Sequence, residues 1–133
     1  MEQMSRRDAR IKAYEIVFML ETCDDINLQL DNLKKELKDH KKHYRYISDV
    51  VNAVCVNKDE IDKIIKGSLT KTWNYSRLSK MSLATLRLAV AEIKFMNDIP
   101  ESVSINEAVE LAKLYGDDGE SMFVNGVLAD IVK

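Results

Sequence analysis

A single proline, Pro100, and four glycines are all that interrupt the 133 residues with strong helix breakers, and the runs between them repeat apolar side chains every three or four positions. Strands joined into a sheet need frequent turns, which draw on Gly, Pro, Asn and Asp. Helices tolerate long runs of Ala, Leu, Lys and Glu, the types that dominate here. An all-α fold is expected. With 46% hydrophobic and 32% charged residues, the chain has the composition and length of about one globular domain with a sizeable core.

Ser5 can cap a first helix that runs to about Glu21, with Ala9, Ala13, Ile16, Val17 and Leu20 as its core stripe. Asp24-Asp25 breaks it, and Ile26, Leu30, Leu33 and Leu37 mark a second. The polar stretch Lys38 to Lys42 reads as a loop. A third helix covers His43 to Val56, with Ile47, Val50, Val51 and Val54 inward. A fourth, capped by Asp59 or a neighbour, carries Ile61, Ile64 and Ile65 and ends near Gly67. Thr70 to Ser79, with Trp73 and Tyr75, links the two halves. From Met81 to Met96 apolar residues cover most of the circumference, with Lys80, Arg87 and Lys94 seven apart and Glu92 opposite, as in a central helix.

Ser104 and Glu107 have the S-x-x-E spacing of a capping box, and Ile105, Ala108, Val109, Ala112 and Tyr115 follow at helical spacing. Gly116 ends that helix where a left-handed residue is easily accommodated. Asp117 or Asp118 caps the last helix, which runs from about Glu120 with Val124, Val127, Leu128 and Ile131 inward. The sum is about seven helices in two packed bundles, one over about residues 1–70 and one over about 71–133.

Enzymatic chemistry has little to stand on. His40 and His43 lie in a lysine-rich segment, Cys23 and Cys55 are too few and too far apart for a metal-site pattern, and no glycine-rich phosphate loop is present. The acid pairs at residues 24–25 and 117–118 sit at helix boundaries, where capping explains them. No catalytic residue, metal or cofactor is expected. The first twelve residues include Arg6, Arg7, Asp8, Arg10 and Lys12 rather than the apolar core of a secretory signal. No apolar run approaches the ~20 residues that cross a bilayer. A cytoplasmic location follows, in which both cysteines stay reduced.

The net charge of −2 argues against a uniformly basic nucleic-acid binder, but positive charge is concentrated twice. Residues 1–12 hold four basic and two acidic side chains, and residues 34–45 hold six and two. On the first helix Arg7, Ile11, Tyr14 and Phe18 form a stripe away from the core stripe, with Arg10 between them. Cations for phosphates and flat rings for unstacked bases share this flank, as RNA contacts require. The same pattern serves a helix whose aromatics pack against the other bundle. Gly126, in mid-helix, points to a close approach by another backbone or a ligand, with ordinary helix packing as the alternative.

The stretch SINEAVELAKLYGDDGESMFVNGVL (residues 104–128), with Ile99-Pro100 and Val103 before it, resembles the C-terminal signature of the NusB family of bacterial transcription antitermination factors. The start, SRRDARIKAYEIVFMLE, resembles that family's arginine-rich first helix, and LSKMSLATLRLAVAEI the segment before its proline loop. The resemblance implies two packed helical bundles. It also implies binding of boxA single-stranded RNA with the small-subunit ribosomal protein NusE, and assembly of an antitermination complex on RNA polymerase, notably at ribosomal RNA operons. By position, Arg6, Arg7 and Arg10 match arginines set against RNA, and Phe18 and Phe123 match aromatics at the partner-binding surfaces. The NusE surface falls broadly between Ile61 and Leu114. Some members also form homodimers through the surface that meets RNA.

There are departures. Met122 stands where KFVNG, with a lysine, is the usual spelling, Gly119 and Glu120 replace residues that are often polar or basic, and Ser82 replaces a glutamate that faces the partner in some members. Losing positive charge there implies weaker RNA binding that rests more on NusE. Two other readings compete: a protein-interaction adaptor with weak or lost RNA binding, and an RNA-binding module akin to the N-terminal domain of ribosomal RNA cytosine methyltransferases.

Overall fold

A computed structural model describes residues 3–20, 24–69 and 78–133, apart from the side chain of Asp118. Among the described residues there are seven helices: α1 (Arg6–Met19), α2 (Ile26–Glu36), α3 (Lys41–Val56), α4 (Lys58–Gly67), α5 (Lys80–Phe95), α6 (Glu101–Tyr115) and α7 (Asp118–Ile131). No strand occurs among the described residues, so the all-α expectation holds. Trp73, Tyr75 and most of the expected link at residues 70–79 lie outside the described residues.

Helix α5 is the one on which the rest assembles. Its apolar circumference packs against α1, α3, α4, α6 and α7, and Leu86, Leu88, Val90 and Ala91 are almost wholly buried. Helix α1 rests on α3 and α5, α2 on α3, and α6 on α7. The predicted inward stripes are buried, except that Leu20, just past the end of α1, is half-buried: Ala9, Ala13, Ile16 and Val17 in α1, Ile47, Val50, Val51 and Val54 in α3, and Val124, Val127, Leu128 and Ile131 in α7. These side chains form one continuous core cluster.

Several helix ends differ from expectation for local reasons. Ser5 caps α1 as predicted, its oxygen accepting from the Asp8 N–H at 3.0 Å while Asp8 accepts from the Ser5 N–H at 3.0 Å. Helix α1 stops at Met19 and α3 starts at Lys41, taking in two residues of the expected loop. A single residue, Asn57, separates α3 from α4, and its side-chain amide donates to the Ala53 carbonyl at 2.9 Å. Asp59 therefore lies inside the first turn of α4 rather than capping it. Asp117 caps α7 as expected, accepting from the Glu120 N–H at 2.8 Å.

The S-x-x-E capping reading of Ser104 and Glu107 is wrong. Pro100, extended at φ −60° and ψ 141°, starts α6 earlier, and its carbonyl accepts from Val103 and Ser104 at 3.0 and 3.2 Å. That frees both side chains for work across helices. Gly116 is not left-handed, with φ −132° and ψ −148°. It is needed for space: a Cβ there would lie 2.9 Å from the Ala112 carbonyl and 2.6 Å from Glu120 Oε2, with Met81 Cε closer still. Gly126 shows the reverse, with nothing within 4 Å of a Cβ, so among the described residues no backbone approaches it. Cys55 is disulfide-bonded, contrary to the expectation of a reduced thiol; Cys23 lies outside the described residues.

Candidate functional site

The first helix carries five of the side chains that matter, and its pitch separates them. Arg7 and Phe18 stand eleven positions apart along α1, about 16 Å at the helical rise. One end is cationic and the other aromatic.

At the cationic end the three arginines have different fates. Arg10 is 3% exposed. Its Nε and Nη2 donate to Glu92 Oε2 and Oε1 at 2.8 and 2.9 Å, a bidentate pair inside the core. Glu92, on α5 and also buried, accepts two more bonds: from Tyr46 Oη of α3 at 2.5 Å and Ser104 Oγ of α6 at 2.9 Å. Four helices meet at one carboxylate. Burial pulls against the Arg10 cation, but its hydrogen bonds to Glu92 and the surrounding negative charge outweigh that and hold its pKa above the ordinary value. Burial first, then the Glu92 charge, pushes the Tyr46 phenol upward, so it remains a donor. Arg10 thus has no free face for a phosphate; what it can do is fix α1 to α5.

Arg7 faces outward, its side chain 59% exposed, while Nε and Nη2 donate to Glu107 of α6 at 3.0 and 2.8 Å. The Arg7 hydrogen bond holds the Glu107 carboxyl below its ordinary value, with partial burial opposing. Arg10 Nη1 adds a longer contact to Glu107 at 3.7 Å. Arg6 places its guanidinium 4.6 Å from the centroid of the Tyr46 ring, a cation–π arrangement. Arg6 and Arg7 are thereby steadied, with N–H groups left toward solvent.

The aromatic end splits in the same way. Tyr14 is 3% exposed and stacks on Tyr115 of α6, centroids 4.8 Å apart and planes at 23°. Burial raises its pKa to about 12. This is the packing alternative for that stripe; it holds fully for Tyr14 and in part for Ile11 and Phe18, which are half-buried against the core. Phe18 is half-buried, 5.9 Å from Tyr14, with Lys80 Nζ 4.8 Å above its ring. Phe123 is half-buried where Leu78, Ser79 and Ser82, at the start of α5, meet Gly119 and Glu120 of α7. The N-terminal end of α5 therefore gathers Phe18, Lys80 and Phe123 at one edge of the molecule. Beside Phe123, Met122 is 74% exposed and borders a cleft of about 440 Å³ floored by Gly126.

Sequence reasoning missed Lys80, Glu92, Tyr46 and Glu107 as parts of this site. Glu92 had a signal: a lone carboxylate on an otherwise apolar helix must find a cation. Among the described residues no cluster of His, Cys, Asp and Glu could hold a metal, and no helix is long and apolar enough to cross a membrane.

Comparison with known proteins decides the family. Residues 7–133 match the NusB family. The chain belongs to it. The transcription antitermination protein NusB of Listeria monocytogenes is 43% identical over 128 residues, covering 96% of both chains. That of Clostridium novyi is 41% identical over 133 residues, covering 98% and 99%. Among solved structures, T. maritima NusB superposes with a TM-score of 0.76 at 31% identity, covering 98% of this chain and 92% of that one. A complex of the antitermination factors NusB and NusE with double-stranded RNA contains a chain with a TM-score of 0.72 at 29% identity, covering 95% and 94%.

Proposed function

We propose that this NusB-family chain is a transcription antitermination factor that binds boxA-type single-stranded RNA together with NusE. On this reading it helps assemble an antitermination complex on RNA polymerase, notably at ribosomal RNA operons. It works in the cytoplasm as an adaptor, with no reaction of its own. The observation that carries the reading is end-to-end likeness to a NusB that has been captured with NusE and RNA.

The geometry supports a narrower division of labour than three equivalent arginines. Arg6 and Arg7 hold phosphates, Phe18 and Phe123 offer faces to bases or to NusE, and Lys80 adds a cation beside Phe18. Arg10 acts from inside by holding α1 in place. Unpaired bases can be splayed onto such a surface, whereas an A-form duplex hides its edges; because the related complex holds a duplex, a duplex arm is needed in the test.

A fluorescent boxA-type strand titrated with the chain, with and without NusE, against scrambled and duplex RNA across a salt series, tests this. Selective single-strand binding strengthened by NusE is expected. Arg6→Glu with Arg7→Glu should remove it with helicity and NusE binding intact, the salt slope falling by about 1.4 for two single-strand phosphates. NusE binding without RNA selectivity at any salt would leave a protein-interaction adaptor, a reading that the engagement of Arg7 by Glu107 favours.

A further inference from the structure

We propose that the groove between α2 and α3 is a second RNA site, which holds the phosphate backbone of the strand flanking the specifically recognised element. Lys34, Lys38, Lys41 and Arg45 line one groove of about 460 Å³, with Asp49 as its lone acid and Tyr44 contributing a half-buried ring. All four cations are exposed, and none makes an ion pair among the described residues. In a chain of net charge −2 this is segregation of charge, not general basicity. Of the two acids at residues 34–45, Glu36 lines a different groove, shared by α1 and α2, and the exposed Asp39 lines neither.

Helix stability accounts for only part of the arrangement. Lys34 lies in the last turn of α2, where the helix dipole favours a cation. Lys41 opens α3, where the dipole disfavours one, and that first turn contains no acid and has no side-chain cap. Uncapped backbone N–H groups next to Lys38, Lys41 and Arg45 make a concentrated positive end suited to anionic oxygens.

RNA is favoured over an acidic protein because protein interfaces form around a desolvated apolar or aromatic centre. Among the described residues the large exposed hydrophobics are Met19, Leu28, Val56, Val103, Leu114, Tyr115 and Met122, and none of them lines this groove. A cationic groove with one ring available for stacking is the form of a backbone-tracking strand site.

The choice of polymer rests on the RNA reading of α1, and the experiment separates the two. A boxA-type RNA of about 12 nucleotides is compared with the same RNA carrying about 12 uridines on either end, lengths near the span of one small single-strand-binding domain. The wild-type chain should bind the extended RNA more tightly and with a steeper salt dependence. Lys38→Glu, Lys41→Glu and Arg45→Glu together should leave the short RNA unaffected and abolish the gain from the extension, lowering the salt slope by about 2. If the reversal unfolds the chain, Lys38→Gln with Lys41→Gln gives a smaller loss in the same direction. An extension that adds nothing, a variant that loses both RNAs equally, or equal displacement by polyglutamate of matched charge overturns the proposal. Groove-dependent polyuridine binding without boxA selectivity would sustain the groove and sink the α1 reading.

Discussion

Glu92 accepts from Arg10, Tyr46 and Ser104 on three other helices, so its loss strands a buried cation together with two hydroxyls. Glu92→Ala or Arg10→Ala should destabilise the fold by about 3–5 kcal/mol in urea denaturation, because an uncompensated buried charge is left behind. Arg10→Met with Glu92→Met should recover much of that. If the single and double changes cost the same, the ion pair is not what matters there. The same burial means that Arg10→Glu would test folding rather than RNA binding. At this scale the sequence was only half legible. A lone acid on an apolar helix announced that it needed a partner, but 82 residues separate Glu92 from Arg10, and no local pattern spans that distance. The S-x-x-E pair misled because spacing alone cannot tell a cap from two side chains used across helices.

Glycines show how an element's position in the packing reverses the effect of one methyl group. Gly116→Ala should destabilise the protein and lower its melting temperature, since the new Cβ meets the fixed Ala112 carbonyl at 2.9 Å. Gly126→Ala should stabilise it by about 1 kcal/mol, the helix-propensity gain at an open mid-helix site. A gain at Gly116 would mean that Met81 and Glu120 yield freely. Helix number and inward faces were readable because apolar periodicity is a local property. Boundaries slipped by two to four residues, the most where one residue dictates them, as Pro100 does for α6. The split of α1 into a cationic and an aromatic end was visible as a stripe, but which rings were covered depended on α6, which supplies Tyr115 against Tyr14.

Across the whole molecule, charge couples stability to pH at both extremes. Glu107 is held below its ordinary 4.5 by the Arg7 hydrogen bond, so its contribution is present above that value and lost as pH falls through its lowered folded-state pKa. Tyr14 is raised from 10 to about 12, so its contribution is complete below pH 10 and lost as pH rises from 10 to 12. Denaturation midpoints recorded across pH should therefore fall at both ends, and Tyr14→Phe should flatten the alkaline arm. An unchanged arm would place the loss at other groups, Tyr46 first among them. The Arg10–Glu92 pair also sets a clock on synthesis. A ribosome adding about 5–20 residues per second makes the acid some 4 to 16 s after the arginine. Through that interval the nascent α1 bears a cation on a face that has nowhere to go, and the N-terminal half can only complete its packing once α5 has emerged.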